Sequence, residues 1–307
     1  MSVTNNSTVV DALIIGGGPA GVSAALSLAR ALHTVIVFDS GIYRNAKAAR
    51  MHAVTTWDHQ RPDEFRGKAR SDILSRYGTV QFKHLVIQSV EKMAEGLFHL
   101  VDEHGALWRG RKLLLATRCI FHCLFCHGYE DRHVPSCGVL CAGDLEAAQP
   151  VLHLARHAAR LVPKVTIYTN GREELTDQIK SLLREDEEFT FDSRTIDKLA
   201  KGDEEASVVL RFSDASHTTE GFLVNRPKTV LQSEFASQLG CKMTKQGSIE
   251  ITEPVCQTSV PGAFAAGDCA VLAKTVMNAM ATGGFAGAAI AMQLEAEGPS
   301  PTSKTTT

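Results

Sequence analysis

Cys123-Leu-Phe-Cys126 places two thiols one helical turn apart, and His127 follows directly. At a helix start, one sulfur of such a pair is exposed. The other lies near the helix N-terminus, where the thiolate is favoured. A pair of this kind can open and close a disulfide, and the adjacent imidazole can carry the proton that the exchange requires. A zinc site and two inert buried cysteines are the competing readings. Cys123, Cys126, His122 and His127 are too crowded to supply a tetrahedral site, so no metal is expected. His122 and His133 suit surface or packing roles. Cys119, Cys137, Cys141, Cys241, Cys256 and Cys269 are dispersed among apolar or turn residues and read as small buried hydrophobes.

Far upstream, Gly16-Gly-Gly-Pro-Ala-Gly21 follows the apolar run Val10–Ile15. Gly16 permits a tight turn. Gly18 leaves room for a pyrophosphate against the backbone, and Gly21 lets helix and strand approach. Pro19 and Ala20 open a helix whose N-terminal N–H groups and partial positive charge suit phosphates. A second buried strand, Thr34–Phe38, ends at Asp39, where a carboxylate can accept bonds from ribose hydroxyls. Strand, loop, helix, strand and acid in this order mark a dinucleotide site, without separating FAD from NAD. Thr258-Ser-Val-Pro-Gly leads to Phe264-Ala-Ala-Gly267-Asp268 and decides for FAD. Asp268 at a strand end can meet the ribityl hydroxyls. A helix starting near Val276 can aim its positive end at the pyrimidine edge of a flavin.

Composition excludes several classes. The chain has 307 residues, 44% hydrophobic and 21% charged, with a net charge of −2. No large cationic field favours nucleic acid, and no apolar run is long enough to span a bilayer. The polar stretch Met1–Val10 does not read as a secretory leader, so a cytoplasmic location is expected and Asn6-Ser-Thr reads as a chance glycosylation match. Eight cysteines are too few for a disulfide scaffold of this length.

The remaining elements must position these groups. Helices are expected over 23–31, 62–77 and about 145–160, the last bent or delayed by Pro150. A β-meander is expected over 81–90, 97–101 and 107–108, followed by a separate buried strand over 112–117. Further strands are read at 138–142 and 165–168. The charged segments 172–188 and 198–205 read as solvated helix and loop. A closing helix is expected over 276–294, and the Ser/Thr/Pro-rich tail 298–307 reads as disordered. Two strand-turn-helix units suggest an α/β chain with a duplicated Rossmann plan.

The three motifs together resemble the low-molecular-weight thioredoxin-reductase-like flavoproteins, in order and over about 11–294. The resemblance implies two Rossmann-like (FAD/NAD(P)-binding) domains, the second inserted in the first. It places FAD-binding parts at 1–118 and 235–297 and a thiol-bearing, NAD(P)-binding-like domain at 119–234. It also implies a homodimer, with Cys126 as the flavin-proximal sulfur and Cys123 as the interchange sulfur. His122-Cys-Leu-Phe-Cys-His-Gly-Tyr-Glu130, Tyr43-Arg44-Asn45 and Thr56-Trp-Asp-His59 are similar to the fungal gliotoxin-type dithiol oxidase branch. Thioredoxin reductases carry an acid where His127 stands. A histidine there favours a base able to deprotonate an incoming dithiol.

The second strand-turn-helix departs from a nucleotide site. Cys141 stands where the first glycine should be, and Glu146 would oppose a pyrophosphate. Arg172 is a single cation where NADPH users cluster several. NADPH is therefore the weaker cofactor expectation, and oxygen the favoured acceptor. The expected activity is FAD-dependent oxidation of a small-molecule dithiol. His59 is a weaker candidate for contact with substrate or flavin, and Trp57 and Phe125 for an apolar surround. An NADPH-dependent thioredoxin reductase is the alternative. Only Arg118–His122 separates Thr117 from the thiol pair, and five extended residues span at most about 17 Å. That shortness admits a further reading, a flavin-binding protein impaired in catalysis.

Overall fold

The computed structural model describes residues 5–46, 48–117, 128–204, 206–228 and 230–298. Cys119, His122, Cys123, Phe125, Cys126 and His127 lie outside them, as do the rest of segment 118–127 and the tail from 299. The chain divides into two compact units, 1–120 with 229–307, and 121–228.

In the first unit, Ala12–Ile15, Val35–Phe38 and Leu113–Leu115 are continuous apolar runs, all buried. Such runs suit parallel strands covered on both faces. They belong to β1 (Asn5–Ile15), β2 (Val35–Phe38) and β6 (Leu107–Leu115). With β3 (Val80–Lys83) and β16 (Ala263–Ala265) they form a parallel sheet in the order β16-β6-β1-β2-β3. β14 (Ile251–Thr252) and β15 (Gln257–Thr258) extend one edge. α1 (Pro19–Arg30) packs its alanine- and leucine-rich face with the apolar side of a long helix, Val276–Glu297, on one side of the sheet. α2 (Pro62–Arg76) begins on a proline, as a missing N–H at the first turn allows.

Two expectations change here. Segments 107–108 and 112–117 are one strand, β6. Its first half pairs antiparallel with β5 (Phe98–Asp102) and its second half parallel with β16, while β1 runs parallel along both. β3 is not part of the meander. It pairs parallel with β2, while β4 (Ile87–Lys92) pairs with β5.

The second unit holds a parallel sheet in the order β13-β7-β8-β9. Its members are β7 (Ser136–Gly143), β8 (Lys164–Tyr168), β9 (Thr190–Asp192) and β13 (Phe222–Arg226). α3 (Ala148–Ala158) and α4 (Glu173–Lys180) complete the α/β plan. Pro150 sits in the first turn of α3, where the helix tolerates it. Segment 198–205 was expected to be helix or loop. It contributes instead to β10 (Ile196–Lys201), which pairs antiparallel with β11 (Val208–Phe212), itself paired with β12 (His217–Glu220). β10 reads Ile-Asp-Lys-Leu-Ala-Lys and is largely exposed at a sheet edge, so it carries no apolar alternation. In the first unit, α5 (Phe235–Gln238) precedes the closing helix α6 (Val276–Glu297), which runs three residues past 294.

Candidate cofactor-binding site

A cavity of about 410 Å³ opens in the first unit. One wall is the turn between β1 and α1. Gly16 has φ +118°, and a Cβ there would lie 2.3 Å from the Ala116 carbonyl oxygen. Gly21 does not line the cavity. A Cβ on it would lie 1.9 Å from the Gly16 oxygen, so its role is close packing of helix on strand. Gly18 is the opposite case: a Cβ there meets nothing within 4 Å, and the residue borders the cavity. It caps α1 with no side-chain bond, leaving the first-turn amides to whatever enters. Pro19 and Ala20 also border the cavity.

At one end, Asp39 is only 2% exposed, so its carboxylate depends on protein partners rather than water. The Gly41 N–H donates to Oδ1 at 3.0 Å, the Tyr43 hydroxyl donates to Oδ2 at 2.5 Å, and the Arg70 guanidinium also reaches Oδ2. A carboxylate has about four acceptor positions, so one remains on Oδ1 for a ligand hydroxyl. Arg66 stacks 3.8 Å over the Tyr43 ring. Burial, and then the bond to Asp39, push the Tyr43 phenol up to about 12. Leu85, Ile87 and Phe235 give this region an apolar lining.

At the other end, β16 runs into the turn Gly267–Cys269. The Gly267 N–H donates to Thr282 Oγ1 at 3.0 Å. Arg44 Nε is 3.0 Å from Asp268 Oδ2, and its NH1 donates to the Lys274 carbonyl at 2.7 Å. Lys274 is buried, with Nζ donating to the Asp268 and Val271 carbonyls at 2.6 and 3.1 Å. Thr275 Oγ1 caps α6 by accepting the Asn278 N–H. Thr275, Val276 and Ala279 border the cavity, so the positive end of α6 faces it.

Thus Gly16, Gly18, Pro19, Ala20, Asp39, Arg44, Gly267, Asp268 and Val276 are brought to one cavity, with Gly21 behind them. Sequence reasoning missed Arg70, Lys274, Thr275 and Thr282. Arg66 and Arg70 share one face of α2 by their i, i+4 spacing, which was a usable signal. Lys274, alone in an apolar stretch, was another. Trp57 and His59 do not line the cavity. Trp57 packs edge-on to Phe65, with ring centroids 5.5 Å apart.

In the second unit the corresponding turn follows β7. Arg172 donates to the Cys141 and Thr169 carbonyls, so it is tied to the end of the sheet rather than free at the surface. Asn225 Nδ2 donates to the Leu140 and Ala142 carbonyls, both at 3.0 Å. The Asp144 N–H is committed to the Arg226 carbonyl at 2.7 Å. Glu146 is exposed at this turn. Cys137, Cys141, Cys241, Cys256 and Cys269 are all buried. Burial pushes Cys137 up to about 12 and Cys141 and Cys256 up to about 11, far from a reactive thiolate.

The comparisons agree with this geometry. Residues 11–111 match the FAD binding domain model, and residues 225–298 match the pyridine nucleotide-disulphide oxidoreductase model. The chain is 40% identical over 303 residues to thioredoxin reductase aclD of Aspergillus oryzae, covering 92% of this chain and 96% of that protein. It is 38% identical to thioredoxin reductase sirT of Leptosphaeria maculans, over 93% and 94% of the two chains. The crystal structure of an oxidoreductase from Agrobacterium tumefaciens superposes with a TM-score of 0.80 at 26% identity, covering 93% and 98%. The fold and the family matches are those of an FAD-dependent disulfide oxidoreductase with two Rossmann-like domains. The chain belongs to the thioredoxin-reductase-like pyridine nucleotide-disulfide oxidoreductase family. Among the described residues, no helix is long and apolar enough to cross a membrane.

Proposed function

We propose that this flavoprotein oxidises a small-molecule dithiol to a disulfide, with molecular oxygen as the final acceptor and hydrogen peroxide as the product. The observation that carries this reading is the contrast between the two turns. The first is built of Gly16, Gly17 and Gly18 around the cavity, whereas the second carries two exposed acids, Asp144 and Glu146, that would oppose a phosphate.

The residues present suit FAD. Asp39 would accept from the ribose, and the amides after Gly18 would receive the pyrophosphate. Asp268, positioned by Arg44 and Lys274, would meet the ribityl chain, and the capped start of α6 would face the ring. Bound FAD supplies a two-electron acceptor that oxygen can reoxidise. The protein's own chemistry is thiol exchange. A substrate thiolate attacks the Cys123 sulfur of the Cys123–Cys126 disulfide, forming a mixed disulfide and releasing the Cys126 thiolate. The second substrate thiolate then attacks its own sulfur in that mixed disulfide. The product disulfide leaves, and the cysteine pair is left holding both electrons. His127 takes the proton from each incoming thiol. The homodimer, the cytoplasmic location and a role in secondary metabolism are parts of the same proposal.

The second reading is NADPH-dependent thioredoxin reduction, the activity that names the relatives above. Anaerobic mixing separates the two. A model dithiol should bleach the flavin rapidly and NADPH should not. Oxygen uptake during dithiol turnover should vanish in Cys126→Ser. Rapid bleaching by NADPH with an inert dithiol would overturn the proposal.

A further inference from the structure

The loop Met51–Gln60 closes on itself. The Met51 N–H donates to the Gln60 carbonyl at 2.7 Å, and the His59 N–H donates to the Met51 carbonyl at 2.8 Å. Its apolar side chains, Met51, Val54 and Trp57, pack with Phe65 and with Val276 and Met280 of α6. Its polar side chains His52, Asp58 and His59 gather together. One Asp58 oxygen is 4.0 Å from His52 Nδ1 and the other is 3.4 Å from His59 Nε2. The two rings meet edge to face, with centroids 4.7 Å apart. One ligand atom from each residue lies within 4.8 Å of the other two.

Asp58 is held by the Ala53 N–H at 2.8 Å, and the His59 carbonyl accepts from Arg50 at 2.8 Å. Ala53, Thr56 and His59 have φ of 55°, 69° and 60°, the left-handed region that non-glycine residues seldom occupy. The loop thus keeps three polar groups together at a conformational cost. None of the three lines the cofactor cavity.

Two imidazoles and a carboxylate form a donor set that suits first-row divalent ions, zinc above all. Tetrahedral bonds near 2.1 Å put ligand atoms about 3.4 Å apart, so small side-chain rotations would close this trio. We propose that His52, Asp58 and His59 form a zinc site with one coordination position left open. It replaces the expectation, drawn from the crowded thiol pair, that the chain binds no metal. Zinc here would brace the loop against the first turns of α6, whose start borders the cofactor cavity.

The test is zinc titration of the oxidised flavoprotein by calorimetry, beside Asp58→Asn, His59→Asn and the double variant Cys123→Ser/Cys126→Ser. Asparagine tolerates the left-handed backbone at 59, and flavin absorbance reports that each variant is folded. One zinc should bind per chain. Asp58→Asn and His59→Asn should each weaken it at least about tenfold, while the cysteine variant leaves it unchanged. Cobalt in its place should show weak ligand-field bands without intense thiolate charge transfer. Three results would overturn the site: no zinc bound by the wild type, affinity indifferent to both Asp58→Asn and His59→Asn, or zinc lost with the cysteines.

Discussion

The chain contains two strand-turn-helix units of the same plan, β1-α1-β2 and β7-α3-β8, and their turns carry different side chains. No side chain caps either helix, and in the first unit Gly18 meets nothing within 4 Å. In the second, Arg172, Asn225 and the Arg226 carbonyl satisfy the main chain at the end of β7. A dinucleotide seat needs donors left over after folding. Each turn commits one N–H to a neighbouring strand, Gly16 to the Phe38 carbonyl and Asp144 to the Arg226 carbonyl, so the difference lies in the exposed acids Asp144 and Glu146 at the second. Shared topology therefore does not imply shared ligands.

The largest expected effect separates packing from binding at the first turn. Gly21→Val forces a side chain into the Gly16 carbonyl and should destabilise the apoprotein by about 3–5 kcal/mol, seen as a fall in Tm. Gly18→Asp points into open space. It should leave the apoprotein Tm unchanged while weakening FAD roughly 100-fold or more, because its carboxylate would face the pyrophosphate. Equal Tm losses in both variants would break the distinction.

At the second turn, Arg172→Ala should cost about 1–3 kcal/mol by unpairing buried carbonyls. It should not confer flavin bleaching by NADPH, since Asp144 and Glu146 still oppose a phosphate. Bleaching in that variant would mean that one side chain masks an intact site.

Tyr43→Phe should cost about 1–2 kcal/mol through the lost bond to Asp39. The Tyr43 phenol is raised from 10 to about 12, so the protonated form is favoured in the folded state. Its contribution is whole below pH 10 and is lost as pH rises towards about 12. Alkaline denaturation of the wild type should show this loss, and Tyr43→Phe should not. The smallest effect belongs to the second unit, where the bidentate bond from Arg156 holds Glu187 at about 2 against an ordinary 4.5. That contribution is present above pH 4.5 and fades as pH falls to about 2. Glu187→Gln should flatten this part of the acid limb of the stability curve.

Much of the first site could be read before any fold was known. Gly16, Gly18 and Gly21 answer backbone demands of turn, approach and packing, which are local and leave a spacing in the chain. Asp39 and Asp268 mark strand ends, also a local signal. The failures lie where partners are distant. Arg70 meets Asp39 across 31 positions, and Arg44 meets the Lys274 carbonyl across 230. The strand β10 was missed because its largely exposed residues carry no apolar period.

Residue order alone was enough for the α/β class, the phosphate turn and the thiol pair, because each depends on neighbours within a few positions. Folding alone revealed that Arg172 turns inward, that Asp39 already has three partners, and that His52, Asp58 and His59 converge. Hydrogen bonds and burial are satisfied in space. Which donor is left over for a ligand is therefore known only once every other donor has found its acceptor.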